Sequence, residues 1–322
     1  MTPSPVTPES IQHAADLLRL GKLVAIPTET VYGLGADASN PEAVAKIFEA
    51  KDRPADHPLI VHLAYATQIR NWAEDVPDSA LLLAREFWPG PLTMILPKNA
   101  SVPMAVTGGQ NTVALRVPNH PVALWLLRVF GGGIAAPSAN RFGRISPTLA
   151  QHVAEELGDK VDCILDGGPC SVGLESTIID LTDSQPTILR PGRIGPSQLE
   201  EVLKTQVAMK SQRKIRAPGM LATHYAPNTP ALLCAKDALL ALLTEQQRLG
   251  KRVGVLAFSA ELSALPCQHS LRLPNKAGDY EASLYLSLRE LDKLQLDSIL
   301  VEQPPASEEW LAINDRLGKA TV

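Results

Sequence analysis

The string Pro27 to Gly35 reads PTETVYGLG, and Lys51-Asp52-Arg53-Pro54 follows one short segment later. An apolar run from Lys22 to Ile26 ends in a proline, two threonines, a tyrosine and two glycines, the pattern of a strand running into a polar tight loop. Such a loop offers hydroxyls and exposed backbone N–H groups. Lys51 and Arg53 add two fixed positive charges. Together these suit a small anionic ligand, because phosphates and carboxylates need both donors and cations.

Three further strings carry the same chemistry. Pro137-Ser138-Ala139-Asn140 follows a strand end, with Arg141 and Arg144 close behind. Ser146-Pro147 is expected to open a helix through Leu157, which would set Ser146 at an N-cap over free helix N–H groups, a phosphate cradle. An ordinary capped helix is the plain alternative. Gly173-Leu174-Glu175-Ser176-Thr177 is a polar loop before a strand, where Ser176 and Thr177 either bond a ligand or satisfy the turn. Arg190 lies in Leu189-Arg190-Pro191-Gly192 at a strand end, where α/β proteins place ligand groups.

The charge map agrees. The 322-residue chain is slightly acidic, at net −4, yet there is no Asp or Glu from Phe87 to Ala154. That window holds Lys98, Arg116, Arg128, Arg141 and Arg144. It fits a pocket for negative ligands, and burial of the segment accounts for part of it. Mild acidity argues against bulk electrostatic binding of nucleic acid. His57 and His62, five apart about the run Leu59 to Leu63, fall on opposite faces of a strand and cannot chelate one metal together. The chain has no Walker motif, no G-x-G-x-x-G, no G-x-S-x-G and no H-E-x-x-H. What remains is an α/β enzyme holding a phosphorylated ligand, a nucleotide, by loops other than a P-loop.

Helix and strand signals alternate to position these groups. Helices are predicted from Pro8, from Pro41 to Ala50, over Ser79 to Phe87, Pro121 to Phe130 and Pro196 to Leu203. Strands are predicted at Leu59–Leu63, Leu92–Leu96, Thr112–Val117, Ile134–Ala136, Val161–Leu165 and Thr177–Leu181, giving a twisted mixed sheet with flanking helices over residues 1–204. Lys204 to Arg216 carries five basic residues and little apolar periodicity, so residues 205–229 read as a linker and a lid expected to fold over the nucleotide, with a passive tether as the plain alternative. Residues 230–322 read as a small Rossmann-like α/β domain with strands at Ala231–Cys234, Val253–Phe258 and Ser298–Val301. Cys163, Cys170, Cys234 and Cys267 lack metal-ligand spacing and read as reduced, mostly buried thiols. The N-terminus has no secretory pattern and no apolar run is long enough to span a membrane, so a cytoplasmic location is expected.

PTETVYGLG, KDRP with PLIVH, FWPGPLT, VALRVP, APSAN with SP, and GLESTI with LRPG stand in this order between Lys22 and Gly192. In them the chain resembles the YrdC-like family in its long two-domain form. The linker string APGMLATHYAP extends the resemblance over nearly the whole chain. The resemblance implies synthesis of L-threonylcarbamoyladenylate from L-threonine, bicarbonate and ATP, with Mg²⁺ accompanying ATP and pyrophosphate released. A partner transferase would pass the threonylcarbamoyl group to tRNA beside the anticodon, and a weak contact of this chain with tRNA is left open. It implies Thr30, His62, Arg116, Ala136 and Ser176 around threonine, with Arg116 on the carboxylate. It implies Arg53, His57, Thr112, Ser138, Ser146, Arg190 and Tyr225 around ATP. Lys51 and Arg53 would face the reacting phosphates, and no protein-held metal is expected. His57 stands where the family often has Asn. Two other readings stay open: the carbamoyl-adenylate chemistry of hydrogenase maturation proteins, and an RNA-binding or ribosome-maturation factor without catalysis.

Overall fold

Thr7 and Ser10 start the first helix by exchanging hydrogen bonds: the Ser10 amide donates to the Thr7 hydroxyl at 3.2 Å and the Thr7 amide to Ser10 Oγ at 2.9 Å. Pro8 needs no partner for an N–H at that position, and the helix Pro8–Arg19 buries Ile11, Ala14, Ala15 and Leu18 along one stripe. The computed structural model describes residues 1–209, 215–220, 224–263 and 267–321. They divide into two units. One comprises Met1–Phe142, Pro147–Ser171 and Glu175–Met220; the other comprises Gly143–Ser146, Val172–Leu174 and Leu221–Val322.

Among the described residues, the first unit holds one mixed sheet of eleven strands: β1 (Ser4–Pro5), β2 (Val24–Ile26), β3 (Gly33–Asp37), β4 (Ile60–His62), β5 (Leu92–Pro97), β6 (Thr112–Arg116), β7 (Ile134–Ala135), β8 (Cys163–Asp166), β9 (Thr177–Asp180), β10 (Thr187–Arg190) and β11 (Ala208–Met209). Their order is β1-β8-β2-β3-β7-β4-β6-β5-β9-β10-β11. The sequence places β3 inside the polar loop. In the structure the loop ends at Tyr32, and Gly33–Asp37 pairs antiparallel with β2, Ile26 opposite Gly33. Glycine is required there, because a Cβ on Gly35 would lie 2.9 Å from the Ile134 side chain and 3.0 Å from the Val24 carbonyl.

The two faces of this sheet differ. On one, Ala25, Val61, Met94, Leu115 and Ile179 join the main core with residues of the helices Pro41–Lys51 and Asp78–Phe87. On the other, Val24, Ile26, Ile134 and Leu165 pack with Ile11 and Leu18 of the first helix and with Leu126 and Leu127 of Pro121–Phe130. Farther along that second face, Ile60, Ile95, Ala114, Ile178 and Leu189 are met by Ala217, with Ile215 and Met220 packed against them. Strand alternation puts His62 on the face of Ile60, Arg116 on that of Ala114 and Thr93 on that of Ile95. The polar residues thus share a face with the 215–220 segment.

That segment departs from a free linker. It is docked through Arg216, whose Nη1 lies 2.7 Å from Asp56 Oδ2 and whose Nη2 donates to the Gly108 carbonyl at 2.7 Å. Gln110 and the Arg216 backbone exchange two more hydrogen bonds. Strand β11 also falls within the predicted linker, pairing parallel with β10. Residues 210–214 and 221–223, where part of the expected lid falls, lie outside the described residues.

The second unit builds a parallel sheet in the order β12-β15-β13-β14 from β12 (Ala231–Cys234), β13 (Val253–Ala257), β14 (His269–Arg272) and β15 (Ser298–Glu302). The helices Lys236–Arg248, Ala277–Asp292 and Leu311–Ala320 belong to the same unit. Sequence reasoning missed β14, whose HSLR has neither an apolar run nor a β-branched residue.

Candidate functional site

Parallel pairing of β4 with β6 sets His62 beside Arg116 in register. Arg116 is 3% exposed, and each of its nitrogens has a neighbour. Nε donates to the Gly90 carbonyl at 3.2 Å, Nη1 to the Thr30 hydroxyl at 2.9 Å, and Nη2 lies 2.7 Å from Glu29 Oε1. Thr30 Oγ1 also meets Thr28 Oγ1 at 2.9 Å, and Thr28 in turn donates to the Val31 carbonyl at 2.6 Å. The PTET loop is therefore folded on its own hydroxyls and fastened to a strand-end arginine. Burial first, then the Arg116 charge, pushes His62 down to about 3, so its imidazole is neutral at pH 7. Its Nδ1 is buried without a hydrogen-bond partner. Cys170 is buried in the same neighbourhood. Desolvation, then the Glu29 charge, raises its thiol far above the usual range, which leaves it protonated and poorly nucleophilic.

Ala136 and Ser176 complete the residues expected around threonine. The Ala136 amide donates to the Ile60 carbonyl at 3.0 Å, which brings the start of the PSAN loop against β4. Ser176 Oγ lies 2.7 Å from Thr93 Oγ1. Arg190 grips the same serine: Nη2 reaches its carbonyl at 2.9 Å and its hydroxyl at 3.1 Å, while Nη1 donates to Pro218 at 3.2 Å. Arg190, expected at ATP, is 3% exposed and ties together β9, β10 and the 215–220 segment.

The remaining basic motif is arranged differently from expectation. Lys51, at the end of its helix, is 2% exposed, and its ammonium donates to the Ser138 carbonyl at 2.5 Å and to the Asn140 carbonyl. It is a strut beneath the PSAN loop and not a group facing an open pocket. Burial, then the Arg53 charge, lowers its pKa well below the lysine range. Arg53 is half-buried, donates to the Pro58 carbonyl at 3.0 Å and sits over the Phe48 ring. His57 is half-buried before β4 and not on it, its ring 5.4 Å from that of Phe142. Desolvation, then Arg53, lowers its pKa. Thr112 opens β6 in a shallow depression with Pro58, Ala114, Arg216 and Pro218. Ser138 bridges to Gly33.

Ser146 and Tyr225 belong to the second unit. The helix expected from Ser146 begins at Ala150 with Leu149 at its N-cap position, so Ser146 is buried in an irregular stretch ahead of that helix. Pro147, Thr148 and Leu149 delay the first helical turn. Arg144, read as a phosphate partner, pairs with Asp292 at 3.2 Å. Tyr225 is 1% exposed, with its ring 6.0 Å from that of Tyr285 and 5.3 Å from the Arg316 guanidinium. It adopts φ +65°, left-handed backbone for a non-glycine residue. Sequence reasoning assigned no role to Glu29, although it stood between two threonines that were both weighed. Thr93 and the Gly90 carbonyl were missed because only the sheet brings them to this cluster.

A mixed sheet that gathers a buried arginine, a neutral histidine and hydroxyls on one face has the chemistry of a site for small zwitterionic or anionic ligands. The family profile described as Telomere recombination, that of Sua5, YciO and YrdC, matches residues 16–192, and the profile described as Threonylcarbamoyl-AMP synthase, C-terminal domain, matches residues 194–322. The chain belongs to the Sua5/YciO/YrdC family. The threonylcarbamoyl-AMP synthase of Pyrococcus abyssi is 42% identical over 97% of this chain and 94% of its own. That of Bacillus subtilis is 44% identical over 96% and 92%. The crystal structure of P. abyssi Sua5 complexed with L-threonine superposes with a TM-score of 0.94 at 40% identity, covering 99% of this chain and 97% of that one.

Proposed function

We propose that this chain makes L-threonylcarbamoyl-AMP from L-threonine, bicarbonate and ATP, for threonylcarbamoyladenosine modification of tRNA. The observation that carries the reading is the Arg116, Thr30 and His62 cluster on β6, the PTET loop and β4: a buried cation, a hydroxyl and a neutral imidazole with a spare nitrogen. Family membership and the threonine-bound relative support it.

The chemistry needs positioning more than acid–base help. Bicarbonate takes a proton and loses water to give carbon dioxide; threonine's ammonium gives up one proton, the free amine adds to the carbon dioxide to form the carbamate N–C bond, and a second proton leaves the nitrogen. A carbamate oxygen then attacks the α-phosphorus of ATP, the α–β bridging P–O bond breaks, and its electron pair leaves with pyrophosphate. Arg116 orients the carboxylate, while Thr30 and Ser176 offer hydroxyls. His62 remains neutral and so does not repel the cationic amine. In the first unit the nucleotide is assigned to Arg53, His57, Thr112, Ser138 and Arg190, with Lys51 holding the Ser138 loop in shape. Preorganised donors of this kind act on charge that develops at the phosphorus. Among the described residues no three His, Cys, Asp or Glu side chains converge as a metal cage. A Mg²⁺ ion accompanying ATP would take phosphate oxygens and water as ligands, and it would neutralise phosphate charge. No helix among the described residues is long and apolar enough to cross a membrane. The product, a mixed anhydride, requires an acyl-accepting transferase as partner.

Pyrophosphate release with bicarbonate and ATP tests the reading, with L-threonine compared against each other amino acid. Release that depends on threonine supports it. No release with any amino acid would return the chain to the binding-module class.

A further inference from the structure

Glu29 is 4% exposed, and both its carboxylate oxygens are buried without a hydrogen-bond partner of acceptable geometry. Oε1 makes an ion pair with Arg116 Nη2 at 2.7 Å, and both side chains are about 95% buried. Two further neighbours feel the Glu29 charge, and burial disfavours the charged form of each: desolvation lowers the His120 pKa and raises that of the Cys170 thiol. The pair is thus a neutral unit of two opposite charges, with acceptor capacity on Glu29 left unused.

This arrangement constrains what binds beside Arg116. A carboxylate arriving alone would put two anions on one guanidinium and leave an excess buried negative charge, which is costly. A zwitterion carries its own compensation. We propose that Glu29 takes the ammonium of the bound amino acid while Arg116 takes its carboxylate, so that the buried pair opens into two ion pairs. The inference rests on the threonine reading above and deepens it. Glu29 makes the site selective for α-amino acids over simple hydroxy acids. Every charge then has a partner of opposite sign and the buried site stays neutral throughout, the condition under which buried ions are tolerated. The PTET loop holds the Glu29 carboxylate in place through Thr30, the next residue, whose hydroxyl accepts from the same arginine.

Calorimetric titration of the full-length protein tests this with two ligands, L-threonine and (R)-3-hydroxybutanoate, which is threonine without its amine. The parent should bind threonine much the more tightly. Glu29→Gln should weaken threonine at least tenfold and leave 3-hydroxybutanoate unchanged or tighter, so that the ratio of the two affinities collapses. Equal weakening of both ligands would make Glu29 merely structural and overturn the proposal. Tighter threonine binding would show that Glu29 competes for Arg116, which also overturns it. Thermal melts check that the variant is folded. If it is not, Glu29→Asp carries the test: the same charge on a shorter arm should reduce threonine's advantage at least threefold, and an unaltered advantage would sink the idea. A parent protein that binds no threonine overturns the functional reading itself, a result distinct from all of these.

Discussion

Arg116 illustrates how much one buried side chain can control. Its replacement removes the carboxylate partner of the ligand and strands Glu29 as an unpaired charge in the interior. Arg116→Ala should therefore cost about 2–5 kcal/mol in threonine binding and about 3–5 kcal/mol in stability. Calorimetry and urea denaturation would read the two losses separately; a variant as stable as its parent would mean that the pair with Glu29 is not formed in solution. His62 gives a pH signature. Its folded pKa, about 3, lies below the ordinary histidine value of 6.5, so the unfolded chain binds the extra proton between these values. Stability through this group is complete above pH 6.5 and is lost as pH falls toward 3. At pH 5 the loss is about 2 kcal/mol. His62→Gln should flatten the acid limb of a melting-temperature profile between pH 7 and 5, and parallel limbs would contradict the burial assigned to this ring.

At the scale of elements, the turn after β10 depends on a missing side chain. A Cβ on Gly192 would lie 2.3 Å from the Thr177 amide and 2.7 Å from the Ser176 carbonyl carbon, both backbone atoms that cannot swing aside. Gly192→Ala should destabilise the protein by about 1–3 kcal/mol and weaken threonine as Ser176 shifts, both measurable in one thermal-shift titration with and without threonine. The 215–220 segment makes a second case. It covers Ile60, Ile95, Ala114, Ile178 and Leu189, so chain ends on either side of it should behave differently. A fragment ending at residue 214 should expose that apolar face and lose about 2–4 kcal/mol relative to one ending at residue 220. Dye binding and denaturation would show the difference, and equal stabilities would return the segment to a passive tether.

For the whole molecule, the second unit is not a continuous stretch of chain. It includes Gly143–Ser146 and Val172–Leu174. Within it Asp292 pairs with Arg144 and also accepts from the Asn228 and Thr229 amides, Arg289 donates to the Ile145 carbonyl, and a Cβ on Gly173 would meet Glu281 O and Ala282 Cα at 2.6 Å. A fragment beginning at His224 keeps the four-stranded sheet but lacks these partners. Its unfolding midpoint should fall several degrees below that of the same unit in the full chain, as scanning calorimetry would show. Coincident midpoints would mean that the two inserted segments contribute nothing to it.

The sequence by itself determined the alternation of elements, since apolar periodicity and proline or glycine punctuation are local signals. The helices Pro121–Phe130 and Pro196–Leu203 and the strand Ala231–Cys234 lie where those signals put them. It also determined the family, because strings such as PTETVYGLG, APSAN and LRPG are unusual enough to identify without a fold. Three things were decided only by tertiary structure. Gly33 to Asp37 became a strand because β2 and β7 supply the hydrogen bonds that two glycines alone do not predict. Ser146 lost its expected helix N-terminus because the helix starts at Ala150, after three residues that local propensity could not exclude. Glu29 met Arg116, 87 positions later in the chain, through the pairing of strands that places the arginine under the PTET loop. A charge's partner is set by what the sheet brings within 3 Å of it, and no spacing along the chain encodes that distance.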